Sequence, residues 1–174
     1  MLINDEHDTK HMTELCFPVN GYILRAAGDD DRAYVMASMK ESILLSVPGS
    51  EAELSDIWMD DILGVTSIAI DGGMMRSELF ILDADGESAG LLWMGISRDQ
   101  FTCEDTGYLL GLYVNGELRG KGLGRALIEC AEDWCITNGL MMMTLNVGSA
   151  NAADGFYRHL EFTERSKVMR KRLR

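Results

Sequence analysis

Arg119, Gly120, Lys121, Gly122, Leu123, Gly124 and Arg125 interleave three glycines with three cations. A glycine lets backbone N–H groups approach a bound anion, because no Cβ stands in the way. Lysine and arginine add full positive charge, and arginine can grip a phosphate through two parallel hydrogen bonds. The chemistry that suits this spacing is phosphate capture. A glycine turn carrying solvated cations uses the same residue types, so the flanking elements must decide between them.

Before the turn, "TGYLLGLYV" (106–114) is a largely apolar run suited to a central strand buried on both faces. After it, Leu123, Ala126, Leu127, Cys130, Ala131 and Trp134 fall on one helical face, and Asn138-Gly139 ends the helix. A strand, a glycine turn and a helix start bring acceptor-free N–H groups and the positive end of the helix dipole to one place. That context favours the anion site. Two familiar phosphate loops are excluded. A Walker A loop needs Ser or Thr after its lysine, whereas Gly122 follows Lys121. A Rossmann fingerprint starting at Gly120 needs glycine at 125, which is Arg125.

The rest of the chain supplies further elements. "GYILRAA" (21–27) reads as a first strand, and Asp29 to Asp31 place negative charge at the start of a helix carrying Met36, Met39 and Ile43. Pro48 and Gly49 break that helix, and Ser50 with Glu53 forms a capping box for a second, through about Leu63. Residues 77–97 read as two strands around a turn containing Asp85 and Gly86. "LMMMTLNV" (140–147) is another buried strand, a short helix runs from about Asn151 to Leu160, and the tail from Phe162 can close as a last strand. The expected order is strand, two helices, three strands, helix, strand, helix, strand.

Composition narrows the class. The chain has 174 residues, 47% hydrophobic and 25% charged, which suits a loose N-terminal arm (1–14) followed by one domain (15–174). Without an apolar run near the roughly 20 residues that span a bilayer, no membrane partner is expected. The acidic start gives no secretory signal, and the expected location is cytoplasmic. Among four cysteines there is no CxxC pair, and Cys130 is expected to be a buried free thiol. His7, His11 and His159 lack partners at ligand spacing, so no metal is expected. The net charge of -12 is uneven: residues 1–110 hold 21 acids and 6 bases, a net of -15, and residues 111–174 hold 7 acids and 10 bases, a net of +3. An acidic half can attract a cationic partner, or can serve solubility alone. The six cations from Arg165 to Arg174 alternate with Val168, Met169 and Leu173, which suits a solvated edge strand better than nucleic-acid binding.

Arg119-x-x-Gly122-x-Gly124 resembles the Arg/Gln-x-x-Gly-x-Gly/Ala signature of the GNAT N-acetyltransferases. "NAADGFYRHLEF" (151–162) and "VMRKRL" (168–173) are similar to segments that follow it in that family. The motif similarity covers residues 106–173; residues 15–105 agree in element order. The resemblance implies an α/β (α+β) fold: a central, mixed, mostly antiparallel sheet splayed between its fourth and fifth strands and flanked by about four helices. It implies acetyl-CoA as cosubstrate, its pyrophosphate on the turn from Arg119 through Gly120, Lys121, Gly122, Leu123 and Gly124 to Arg125. Its pantetheine arm would lie along Leu112, Tyr113 and Val114, with a contact from Asn151, a residue equally suited to helix capping.

The implied reaction is direct attack of an amine on the thioester. A free alkyl amine is mostly protonated at neutral pH and needs a base. Leu110 and Gly111 stand where many family members carry that acid, which leaves Glu104 or Asp105 as candidates beside their reading as a solvated loop. Asn146 can orient the acceptor or a relay water, or simply end its strand. Tyr157 matches the family's Phe-Tyr position and is the candidate general acid toward the leaving sulfur, against the alternative of ring packing beside Phe156. Glu161 departs from the glycine usual there. The acceptor expected is a primary amine: a small cationic amine or a peptide N-terminus. The competing function is an acetyl-CoA-binding regulator without catalysis, and the family's frequent dimers make a homodimer the assembly to test.

Overall fold

A computed structural model describes residues 14–46, 64, 66, 67, 71, 76–148, 151–169 and 171. The helix expected from Ser50 to Leu63, and residues 1–13 of the expected arm, lie outside the described residues. Among the described residues, six strands form one sheet in chain order: β1 (Glu14–Leu15), β2 (Ile23–Ala26), β3 (Ser77–Ala84), β4 (Glu87–Arg98), β5 (Asp105–Val114) and β6 (Met143–Leu145). β1 to β5 are antiparallel to their neighbours, and β6 runs parallel to β5. Among the described residues, helices α1 (Arg32–Ser46), α2 (Leu123–Thr137) and α3 (Ala153–His159) accompany them.

Local chemistry explains the joints. Asp85 (φ 54°) and Gly86 (φ 89°) both take positive φ, the requirement of the two-residue turn that matches strand twist. The Gly86 N–H donates to Asp83 Oδ1 at 2.7 Å. Asp29–Asp31 form a 3-10 turn leading into α1, and Asp31 does more than complement a dipole. It accepts two bonds from the Arg25 guanidinium, at 2.7 and 2.8 Å, and one from the Gly28 N–H at 2.8 Å. The Arg25 hydrogen bonds hold the Asp31 carboxyl below its usual range although burial opposes them.

Side-chain alternation splits the core between two faces. Phe80, Leu82, Leu92, Met94 and Leu109 pack with Leu123, Leu127 and Trp134 of α2. Ile81, Leu91 and Trp93 pack with Val35 of α1. The α2 stripe is the one its spacing predicts, and Cys130 on it is buried and free. On α1 the buried stripe is displaced from the expected methionines to Val35 and Ser38.

β5 departs from regular alternation at one point. Trp93 pairs with Gly111 and Met94 with Leu109, so Leu110 has no partner across the ladder. This is a β-bulge, and it turns two consecutive residues to one face. Leu110 joins the cluster around Val35, and a Cβ on Gly111 would meet the Met39 sulfur at 3.0 Å. The strand is therefore less buried than its apolar sequence suggests: beyond Leu109 its residues are only half-buried.

Two expected strands are corrected. Residues 140–147 shorten to Met143–Leu145, because the chain leaves the sheet at Asn146 to reach α3. The tail forms no strand over 162–169, where Val168 and Met169 are 95% and 86% exposed; Arg165 instead pairs with Asp99 at 3.0 Å and lies over the Phe101 ring. The expected helix at 151–160 is α3, ending in a motif that uses both free N–H groups. Glu161 N–H donates to Arg158 O at 3.2 Å and Phe162 N–H to Tyr157 O at 3.1 Å, with Glu161 at φ 65°.

Candidate active site

β5 and β6 pair only from Gly107/Met143 to Leu109/Leu145. Beyond that point they separate, and the bulge at Leu110 sits at the fork. The wedge between them is a cavity of about 630 Å³, walled by Leu109–Val114 of β5, by Leu145, Asn146 and Val147, by Tyr157 of α3, and by α1 from Met39 to Ser46. Because β6 stops short, Leu110–Val114 have no strand partner on this side among the described residues. An extended polar chain can add to such an edge by backbone hydrogen bonds.

The glycine turn follows β5, and its first residue, Arg119, lines this cavity. Gly122, at φ 83°, is the residue from which α2 starts, and Gly120 has φ 78°. A Cβ at either position would meet nothing within 4 Å, so the turn faces open space. The first-turn amides of Leu123, Gly124 and Arg125 have no intrahelical acceptors by geometry. Arg119 lines the cavity, Arg125 pairs with Glu129 at 3.3 Å, and Lys121 is exposed. The helix-start donors, the positive end of the dipole and Arg119 are the groups here that could hold a phosphate, whereas Arg125 lines a separate hollow with Glu129 and Glu132.

Arg119 is the most constrained of these cations. Its Nε donates to Val114 O at 2.9 Å, its guanidinium lies 5.5 Å from the Tyr113 ring centre, and it reaches Glu41 of α1 at 2.9 Å. Tyr113 donates its hydroxyl to the other oxygen of Glu41 at 2.6 Å. Burial, reinforced by that carboxylate, pushes the Tyr113 phenol up to about 12. The Tyr113 hydrogen bond, followed by Arg119, holds Glu41 below its usual range. Nothing local in the sequence marks Glu41, which lies 78 residues from Arg119 along the chain.

Tyr157 is half-buried in the cavity wall. Its ring meets Phe156 and Phe162 edge-on, with centres 5.2 and 5.6 Å away. Burial raises its pKa, and no hydrogen bond holds its hydroxyl among the described residues. Asn151 also lines the cavity, with both ends of its amide engaged. Its Oδ1 accepts from Ala153 N–H at 2.9 Å, and its Nδ2 donates to Ser46 Oγ at 2.8 Å, tying α3 to α1 across the cavity. Asn146 lies at the fork and donates to the Tyr108 hydroxyl at 2.6 Å.

Glu104 and Asp105 are not brought to this place. They lie where β5 begins, with the whole β6-paired stretch between them and the bulge, and neither lines the cavity. The described cavity wall contains no carboxylate.

The profile of the acetyltransferase (GNAT) family matches residues 45–162. A comparison with curated proteins finds no match. Among solved structures, a putative acetyl transferase from Pyrococcus furiosus shares 21% identity at a TM-score of 0.71, covering 87% of this chain and 99% of that one. Glucosamine-6-phosphate N-acetyltransferase from Arabidopsis thaliana shares 19% identity at a TM-score of 0.59, covering 88% and 99%. The aminoglycoside N-acetyltransferase AAC(6′)-Iy, solved with CoA, shares 22% at 0.60, covering 88% and 95%. The fold, a sheet forked between β5 and β6, is the one these solved acetyltransferase structures share. With more than half its length matched, the chain belongs to the acetyltransferase (GNAT) family, whose cosubstrate is acetyl-CoA. Among the described residues no helix is long and apolar enough to cross a membrane.

Proposed function

We propose that this acetyltransferase acetylates a primary amine borne by a cationic acceptor, either a small polyamine-like molecule or a basic peptide N-terminus. The observation that carries this reading is the fork between β5 and β6, with Arg119 of the glycine turn and Tyr157 in its wall. Acetyl-CoA supplies an acetyl group activated as a thioester. The amides of Leu123, Gly124 and Arg125, with Arg119 and Lys121, would hold its phosphates; the free edge of Leu112–Val114 would align its amide arm, and Asn151 would border that arm.

Tyr157 Oη is the proton donor to the departing sulfur in this reading. Its raised pKa keeps the proton in place at neutral pH. Asn146, held by Tyr108 at the fork, would orient the amine or a water that accepts its proton. Glu104 has no part in this proposal, since its position is remote from the cavity wall. The excess of 15 negative charges in residues 1–110 supports a cationic acceptor.

A panel of amines and peptides of graded charge tests the acceptor. Steering acts over a screening length of about 8 Å at physiological ionic strength, so kcat/KM for the best acceptor should fall as salt rises. Saturating acetyl-CoA keeps cosubstrate binding out of the comparison. Equal or better turnover of neutral and acidic amines would overturn the proposal.

A further inference from the structure

Glu41 joins the phosphate-facing turn to α1, and its position bears on which acyl donor the site prefers. One carboxylate oxygen accepts from Arg119 and the other from the Tyr113 hydroxyl. Arg119 has two further holds, the Val114 carbonyl and the Tyr113 ring. Its position is therefore set without Glu41, while its charge is partly neutralised by it. A donor phosphate arriving at Arg119 must compete with a carboxylate 2.9 Å away. Tyr34, about two turns earlier on α1, donates to Asn115 Oδ1 at 2.7 Å, fixing the helix where it presents Glu41.

We propose that Glu41 is a specificity-determining residue of the cosubstrate site: an anionic latch on Arg119 that weakens the hold on phosphate-bearing donors and leaves phosphate-free donors untouched. This inference rests on the assignment of the 119–125 turn to the phosphates of acetyl-CoA. Glu41 would set the ratio of the two affinities through charge, since it does not itself line the cavity. Both partners are nearly half exposed, so solvent screening limits the effect to the modest range of surface ion pairs.

The test compares Glu41→Gln and Glu41→Asp with the unaltered protein, using acetyl-CoA and S-acetylpantetheine as probes in calorimetry and kinetics. Gln keeps an oxygen that can accept hydrogen bonds but removes the charge; Asp keeps the charge. Glu41→Gln should bind acetyl-CoA roughly two- to fivefold more tightly, with S-acetylpantetheine unchanged. The gain should fade at high salt, and Glu41→Asp should stay near the original affinity. Unchanged or weaker acetyl-CoA binding in Glu41→Gln would overturn the latch, as would equal tightening toward both probes. Failure of the turn assignment reads differently: the unaltered protein would then bind both probes alike and without salt dependence.

Discussion

Replacing Tyr157 with Phe removes one hydroxyl and little else. The ring is held edge-on between Phe156 and Phe162, contacts that Phe retains. No described residue loses a hydrogen bond with that hydroxyl, so stability should change by less than about 1 kcal/mol. If Oη delivers the proton to the leaving sulfur, turnover should fall by roughly 10²- to 10⁴-fold, the usual range for a lost general acid. That range equals about 2.7 to 5.4 kcal/mol in barrier height. The raised phenol pKa means the donor stays protonated across the neutral range, so any basic limb due to Tyr157 lies above its reference of about 10. The assay is single-turnover acetylation at saturating acetyl-CoA, with calorimetry confirming unchanged acetyl-CoA affinity. Near-normal single-turnover rates would refute the reasoning and leave Tyr157 a packing residue.

Glu161→Gly should stabilise the fold by about 0.5–1 kcal/mol, because Glu161 sits at φ 65° where side chains are strained; an unchanged or lower urea midpoint would contradict this. Gly122→Val should weaken acetyl-CoA binding sharply, since a branched residue at φ 83° must shift the turn and fill the open space before it; Arg119→Ala should weaken it less, and calorimetry on folded protein distinguishes the two. Asp31→Asn should cost about 2 kcal/mol at neutral pH by breaking the two-pronged Arg25 pair. Because the folded Asp31 carboxyl is depressed, its contribution is present above the unfolded value of about 3.9 and is lost as pH falls through the folded one. Urea midpoints against pH should therefore drop less steeply on the acid side in the Asn variant.

What the sequence makes legible is mostly local. The Asp85-Gly86 turn, the apolar stripe of α2 and the glycines at 120 and 122 each follow from neighbours within a few residues, and the structure has them where the spacing puts them. The forked sheet follows from the family resemblance rather than from periodicity. Less legible are features that depend on distant partners. Leu110 becomes a bulge only against Trp93 and Met94, and no residue type announces it. Glu41 reads as one more surface acid until α1 lies beside Tyr113 and Arg119. The tail alternates like a strand, yet residues 162–169 pair with no neighbouring strand, and Arg165 anchors them through Asp99 instead. Glu104 illustrates the converse error: nearness to a strand in sequence places it at the wrong end of that strand.

Acetyl transfer within the fork of β5 and β6 is open to one direct measurement. Protein, acetyl-CoA and the best cationic amine from the panel are mixed, and free CoA thiol and product mass are followed in the same samples. One amine molecule heavier by a single acetyl group is expected for every thiol released. Thiol release without an acetylated amine, or tight acetyl-CoA binding with no release at all, would contradict such a transfer.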